Sequence, residues 1–200
     1  MKYHHGNLRE NLIKEACSAC EDLGWENISL RNLAKSLDVS QTAPYRHFDT
    51  KEELLAEVAA LGFIKLSYSV SDSAKFLEKG LAYCDFALKN PNTYDLMFGT
   101  AFSFSNFPNL LQASRGTFES LKKDLVFHYE DNGHKNVSEE VVAEKALAVW
   151  AFVHGLVGIL KKTQAIGPEG IDGGPLMLVM NLSKDLDKYI ERSVNSILAI

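Results

Sequence analysis

The sequence predicts an all-α protein of about nine helices joined by short loops. Apolar residues recur three or four positions apart along almost the whole chain, and no run alternates apolar and polar residues as a half-buried strand would. Helix-breaking pairs and glycines separate the periodic segments at Gly24, Asn90-Pro91, Phe107-Pro108, Asn132-Gly133 and the run 167–175. With 46% hydrophobic and 24% charged residues, the 200-residue chain has enough apolar material for a folded core.

Four helices are predicted before residue 69. The first follows Asn7, a candidate N-cap, and ends before Gly24. The second follows Ser29, the third covers residues 41–47, and the capping-box spacing of Thr50 and Glu53 starts a fourth that continues to about residue 68. Five more helices are predicted over about residues 72–89, 91–99, 108–131, 138–162 and 175–198.

The second and third predicted helices have the length and separation of a helix-turn-helix, whose second helix enters the major groove of DNA. Apolar residues with the spacing to fix this pair are Leu30, Leu33, Ala34, Leu37, Val39 and Phe48. The chain has a net charge of −5, but residues 28–51 contain more basic than acidic residues, which suits a nucleic-acid surface. By pattern alone, a solvated surface helix is an equal alternative, because short helix pairs are common in all-α proteins.

The segment ISLRNLAKSLDVSQTAPYRHFDTKEELLAEV resembles the DNA-binding domain of TetR-family repressors, and with YHHGNLR the resemblance covers residues 3–60. The family pattern is a Thr- or Ser-led helix, an L-A-x-x-L-G-V-S turn, an x-x-Y-x-H-F recognition helix and a continuation with Asp or Asn before K-E-x-L-L. Asp38 replaces the turn glycine, and aspartate tolerates a left-handed backbone better than most residues. Pro44 removes an N–H that would bond to the Ser40 carbonyl, and Asp49 stands one residue further from Lys51 than in the usual pair.

The resemblance implies seven DNA-contacting residues: Ser29 and Lys51 at phosphates, Tyr45 and His47 at the backbone and groove, and Arg31, Gln41 and Thr42 at base edges. An eighth candidate, Arg46, lies on the same polar outer face of the predicted third helix. The side-chain chemistry agrees, since arginine pairs with guanine, glutamine with adenine, and the threonine methyl with the thymine methyl.

The predicted helix over residues 138–162 is apolar on nearly every side, which favours burial within the subunit on one face and against a partner on another. The motifs W-A-F-V-H-G-L (150–156) and N-P-N-T-Y-D-L-M-F-G (90–99) resemble the WHG regulatory domain of one TetR-family branch. That family dimerises through its last two helices. The implied dimer interface comprises Ala148, Ala151, Gly155, Gly158, Leu182, Leu186 and Tyr189.

A surplus of aromatic and flexible side chains in the C-terminal part predicts a pocket for a small apolar effector, with ordinary core as the alternative. The candidate lining residues are Tyr94, Met97, Phe98, Phe102, Phe118, Trp150 and His154. Similarly, His154 is either a ligand or a core histidine with one hydrogen bond.

Cys17 and Cys20 form a C-x-x-C on an apolar helical stripe, which favours two core residues over a redox pair or half a metal site.

The expected protein is a cytoplasmic, homodimeric transcription regulator, a repressor that a small apolar effector releases from a near-palindromic double-stranded DNA operator. Its expected domains are a helix-turn-helix domain (1–50), a connecting helix (about 51–68) and a regulatory and dimerisation domain (69–200). No signal peptide is evident, and the longest apolar run, 149–160, is too short to span a bilayer.

An enzyme is the main rival, but the sequence contains no G-x-S-x-G, H-E-x-x-H, P-loop or G-x-G-x-x-G motif, so no catalytic residue, metal or cofactor is predicted. An all-α ligand-binding or scaffolding protein with an idle helix-turn-helix is the second rival.

Overall fold

The computed structural model describes residues 7–69, 75–170 and 173–199, and this part of the chain is helical with no strand. The predicted all-α class is therefore confirmed. The helices are α1 (Leu8–Leu23), α2 (Leu30–Ser36), α3 (Lys51–Tyr68), α4 (Phe76–Lys89), α5 (Pro91–Phe98), α6 (Pro108–Asp131), α7 (Glu139–Ile166), α8 (Gly174–Leu182) and α9 (Leu186–Leu198).

The predicted third helix, residues 41–47, is instead a turn followed by the 3-10 segment Pro44–Arg46. Pro44 has no N–H to donate to the Ser40 carbonyl, so the α-helical bond at this position cannot form. The Ser40 carbonyl accepts the N–H of Ala43 at 2.9 Å instead, a tighter three-residue step. The recognition element therefore keeps its place in the chain but not its helical geometry.

The C-terminal helices also differ from the prediction. Instead of one helix over residues 175–198, α8 and α9 are separated by the 3-10 segment Ser183–Asp185. Serine and aspartate have low helix propensity because their side chains compete for backbone hydrogen bonds. α7 continues to Ile166, four residues beyond the predicted end, and stops at Gly167, whose φ of 73° suits glycine.

The described residues of 1–65 and 90–116 form one compact unit, and those of 66–89 and 117–200 form another. We call these the N-terminal unit and the C-terminal unit. The division into domains 1–50 and 69–200 stays a prediction.

In the N-terminal unit, helix α5 is bonded to the end of α1. The Glu21 carbonyl accepts the Asn92 side-chain amide at 2.8 Å, and the Glu21 carboxylate accepts the N–H of Thr93. A carboxylate at a helix N-terminus satisfies an otherwise unpaired N–H and opposes the helix dipole. These bonds hold α5 against α1, and both helices belong to the unit that contains the helix-turn-helix.

In the C-terminal unit, α7 packs its buried stripe against α4 and α9. The end of α9 is held by side chains from two other helices. Lys145 donates to the carbonyls of Ile197 at 2.6 Å and Ala199 at 2.8 Å, and the Tyr129 hydroxyl donates to Leu198 at 3.2 Å. These donors satisfy carbonyls that a helix C-terminus leaves unpaired.

Helix α7 is long and apolar enough to cross a membrane, since its 18-residue window has a mean hydropathy of 1.5. The run 149–160 was predicted to be too short to span a bilayer, whereas the whole of α7 is long enough, judged by length and composition alone. A core helix of a water-soluble protein meets the same criterion when one face is buried within the subunit and another against a partner.

Candidate nucleic-acid interface

The helix-turn-helix rests on a buried apolar scaffold. Five of the six predicted scaffold residues are buried and Val39 is half-buried. The buried residues are Leu30, Leu33, Ala34, Leu37 and Phe48, none more than 6% exposed. The predicted packing of this motif is thus confirmed.

The turn between α2 and the recognition segment passes through Asp38, whose φ is 53°. The expectation that aspartate accepts the left-handed conformation of the usual glycine is confirmed. The bond from the Val39 N–H to the Ala34 carbonyl, at 3.0 Å, closes the turn. The recognition segment, residues 41–47, therefore leaves α2 in a defined direction.

The recognition segment presents five polar side chains to solvent and buries Pro44 beneath them. The exposed residues are Gln41, Thr42, Tyr45, Arg46 and His47. Tyr45 is 46% exposed, and Arg31 on α2 is exposed as well. Burying a proline while leaving an aromatic ring in solvent is an arrangement that suits a surface made for binding.

The two predicted phosphate contacts, Ser29 and Lys51, are half-buried, whereas the other candidates are exposed. Ser29 is the N-cap of α2, but its side chain makes no capping hydrogen bond. Lys51 already has an intramolecular partner, because its ammonium donates to the Glu26 carbonyl at 2.6 Å. The predicted capping box is present with a shift: the Thr50 hydroxyl accepts the Glu53 N–H at 3.2 Å, while the Glu53 carboxylate accepts the N–H of Asp49 at 2.7 Å.

A polar junction that the sequence did not predict lies beside the recognition segment. Glu57 on α3 accepts hydrogen bonds from Arg9 on α1 at 2.8 Å and from Asn109 on α6 at 2.9 Å. The Arg9 guanidinium also lies 5.3 Å from the centre of the Phe48 ring, at cation–π distance. A pocket of about 300 Å³ adjoins this junction and reaches His47. Only Arg9 carried a sequence signal, as part of the YHHGNLR opening.

The candidate effector residues are divided between the two units. Tyr94, Met97, Phe98 and Phe102 belong to the N-terminal unit, and Phe118, Trp150 and His154 to the C-terminal unit. Tyr94 and Met97 are buried, and the Phe98 ring lies 5.3 Å from that of Phe63. These contacts fit a pocket lining as well as an ordinary core, so the effector pocket stays a prediction.

His154 lies in a small ring cluster within the C-terminal unit. Its Nδ1 is 3.3 Å from the Tyr83 hydroxyl, and its ring centre is 5.4 Å from that of Trp150. Desolvation lowers the pKa of His154 below its usual value, which favours the neutral imidazole at pH 7. Tyr83 was not singled out from the sequence, because its partner is 71 residues away.

The candidate dimer residues fall into an exposed and a half-buried group. Ala148, Ala151, Gly155 and Gly158 are exposed on α7, together with Leu147 (53%) and Ile159 (43%). A Cβ built on Gly155 or Gly158 meets no atom of the described residues within 4 Å. Leu182, Leu186 and Tyr189 are half-buried, and the tilted rings of Tyr189 and Phe152 have their centres 6.0 Å apart.

The three free cysteines lie at least partly within the core. Cys20 and Cys84 are buried and Cys17 is half-buried. Desolvation raises the pKa of Cys20 to about 11 and that of Cys84 to about 12, so both thiols are protonated at neutral pH and unreactive. Among the described residues, no group of three or more His, Cys, Asp or Glu side chains could hold a metal ion.

Two family models match the chain. Residues 12–58 match the N-terminal model of the bacterial regulatory proteins of the tetR family, and residues 76–170 match a tetracyclin repressor-like C-terminal domain. Together these matches cover more than two thirds of the chain. A curated relative, an uncharacterized HTH-type transcriptional regulator YobS from Bacillus subtilis, is 28% identical over 97 residues. That match spans 45% of this chain and 51% of the relative, so the chain covers about half of the relative's length.

Solved structures have the same fold along nearly the whole chain. A protein of unknown function from Rhodococcus sp. RHA1 is 24% identical, with a TM-score of 0.72 and coverage of 99% of this chain and 97% of that one. The TetR-family regulator PfmR from Thermus thermophilus is 19% identical, with a TM-score of 0.56 and coverage of 94% and 96%. A TetR variant from Acinetobacter baumannii AYE in complex with minocycline is 19% identical, with a TM-score of 0.59 and coverage of 98% and 95%.

Proposed function

Because this chain belongs to the TetR family of bacterial DNA-binding transcription regulators, we propose that it is a repressor that a small-molecule effector releases from its operator. The observation that supports its DNA surface best is the recognition segment, a set of exposed polar side chains on a buried scaffold. The proposed contacts to bases and groove are Arg31, Gln41, Thr42, Tyr45, Arg46 and His47, with Ser29 and Lys51 at phosphates. We propose regulation, rather than catalysis, as the role of the whole chain, and a cytoplasmic location.

Tyr45→Ala should lower operator affinity about tenfold, because it removes a groove and backbone contact. Gln41→Ala should instead relax base preference at one operator position, at a cost of about 1–3 kcal/mol against the preferred base. The operator is first selected from random duplex DNA, and fluorescence anisotropy then measures the affinity of each variant for it.

The chain offers matched controls for both substitutions. Tyr68 is 83% exposed at the end of α3, and Gln112 is exposed on α6, both outside the recognition segment. Tyr68→Ala and Gln112→Ala should leave affinity and base preference unchanged. Unchanged affinity and base preference in Tyr45→Ala and Gln41→Ala would show that the DNA surface lies elsewhere.

A homodimer is the proposed assembly, with the exposed small-residue stripe of α7 at its interface. This stripe, Ala148, Ala151, Gly155 and Gly158, leaves room for a second helix to approach closely. A two-fold dimer of helix-turn-helix units copies its symmetry into a near-palindromic operator.

The proposed effector is a small, largely apolar molecule. The aromatic surplus in residues 94–154 supports its apolar character, and a solved structural neighbour in complex with minocycline supports a small molecule as its class. The ring cluster around His154 combines polar groups with apolar rings, as ligand pockets usually do. An effector weakens DNA binding only if it prefers a conformation in which the two recognition segments are wrongly spaced.

Screening apolar metabolites against the protein–operator complex should yield compounds that lower operator affinity about 5–150-fold. Trp150→Ala should abolish this response while leaving operator affinity without effector intact. Phe127→Ala, at an aromatic residue that is 64% exposed on α6, is the matched control and should respond like the wild type. Compounds that bind the protein and never alter operator affinity would argue for a regulator without an effector.

A further inference from the structure

The N-terminal end of α1 lies beside the recognition segment, within the N-terminal unit. Arg9, the second residue of α1, donates to Glu57 on α3 at 2.8 Å, and its guanidinium lies 5.3 Å from the centre of the Phe48 ring. Phe48 directly follows the recognition segment, and Arg9 lines the same pocket as His47. The chain therefore enters α1 next to the surface that is proposed to bind DNA.

The contacts at this end of α1 fix its position relative to the recognition segment. The Glu57 carboxylate that accepts Arg9 also accepts the Asn109 side chain at 2.9 Å, so it is held from a second side. The Phe48 ring is 2% exposed and belongs to the core. A fixed attachment point raises the effective concentration of a short segment at a neighbouring binding site.

The sequence that precedes α1 carries positive charge and no acid. Residues 2–5 read Lys-Tyr-His-His, and α1 begins after its N-cap, Asn7. Six residues reach at most about 20 Å when extended. Since the minor groove of B-DNA is about 6 Å wide, this length suffices to cross one phosphate strand from the major groove and enter it.

We propose that residues 2–5 bind in the minor groove next to each major-groove contact and favour A·T pairs there. The inference rests on the proposed DNA surface and adds a second reading element to it. The negative potential of a narrow, A·T-rich minor groove attracts lysine and histidine side chains. An extended basic segment attached to a helix-turn-helix unit has the shape and the donors for this groove, whereas the major groove admits a helix.

A change of base pairs in the operator tests the proposal without altering the protein. In an operator selected from random duplex DNA, the pairs on both sides of each major-groove contact are made all G·C or all inosine·cytosine. The two differ only in the guanine amino group, which G·C presents in the minor groove. By fluorescence anisotropy, the wild type should bind the inosine operator about tenfold more tightly. Equal affinity for the two operators would overturn the proposal, because they are identical in the major groove.

A triple variant, Lys2→Ala with His4→Ala and His5→Ala, removes the proposed contacts. It should bind the two operators alike, and its slope of log affinity against log salt should be shallower by about one unit. His134→Ala with Lys135→Ala, in an exposed loop of the C-terminal unit, is the matched control and should keep the wild-type preference and slope.

A triple variant that retains the preference for inosine would assign the minor-groove contact to other residues and overturn the proposal. A shallower salt slope in a wild-type protein–variant comparison without any preference between the operators would also overturn it, because such a result marks contacts to phosphates alone. Failure of the wild type to select any duplex sequence would instead reject the proposed DNA surface, and this inference with it.

Discussion

Replacing Gly62 by alanine destabilises the N-terminal unit, even though alanine is the better helix former. A Cβ at this position would lie 2.6 Å from the Met97 sulfur and 2.9 Å from the Thr93 methyl, both on α5. Both neighbours are buried, with Met97 completely so, and their side chains have little room to withdraw. Overpacking of this kind costs about 1–3 kcal/mol. The gain in helix propensity is about 1 kcal/mol, so a net loss of up to about 2 kcal/mol in the free energy of unfolding is expected.

Gly116→Ala is the matched control for this substitution. Gly116 also lies within a helix of the N-terminal unit, but a Cβ there meets no atom of the described residues within 4 Å. Its replacement should raise the free energy of unfolding by up to about 1 kcal/mol. Urea denaturation followed by circular dichroism measures both variants. Two changes of the same sign would contradict the close approach of α3 and α5 at Gly62.

The sequence predicted the helices well because each depends on a local pattern. The apolar repeat and the breaks at Gly24 and Asn132-Gly133 mark segments whose faces must be buried whatever they pack against. The prediction was wrong for residues 41–47, where a helical pattern coexists with Pro44. The missing N–H of that proline was recognised, but in so short an element one lost bond is enough to turn an α-helix into a 3-10 segment.

Features that depend on distant residues could not be predicted in the same way. The bond between Lys51 and Glu26 joins residues 25 positions apart, and the Glu57 junction joins residues 48 and 52 positions apart. Gly62 shows the same limit, since its proximity to Met97 follows from the packing of two helices and from no motif. The resemblance to a family supplied residue roles, but the partner that each side chain has in this chain comes from the structure.

Gly155→Leu should convert the proposed homodimer to a monomer and abolish tight operator binding. Gly155 is exposed on α7, and a Cβ there has open space around it, so each subunit should accept the leucine without unfolding. Between two subunits, the added side chains would separate helices that small residues otherwise allow to approach closely. We expect the dimer dissociation constant to rise at least about 100-fold, corresponding to about 2.7 kcal/mol.

Sedimentation velocity at micromolar concentration measures the assembly, and anisotropy measures operator affinity. Because a monomer holds one half-site, its affinity for a two-half-site operator should fall further than any single contact substitution would cause. Gly116→Leu, an exposed helix glycine on α6 with equally open surroundings, is the control for adding an exposed leucine and should leave the dimer intact. A dimer that persists unchanged in Gly155→Leu would move the interface away from this stripe of α7. A wild-type monomer at micromolar concentration would instead reject the proposed homodimer itself.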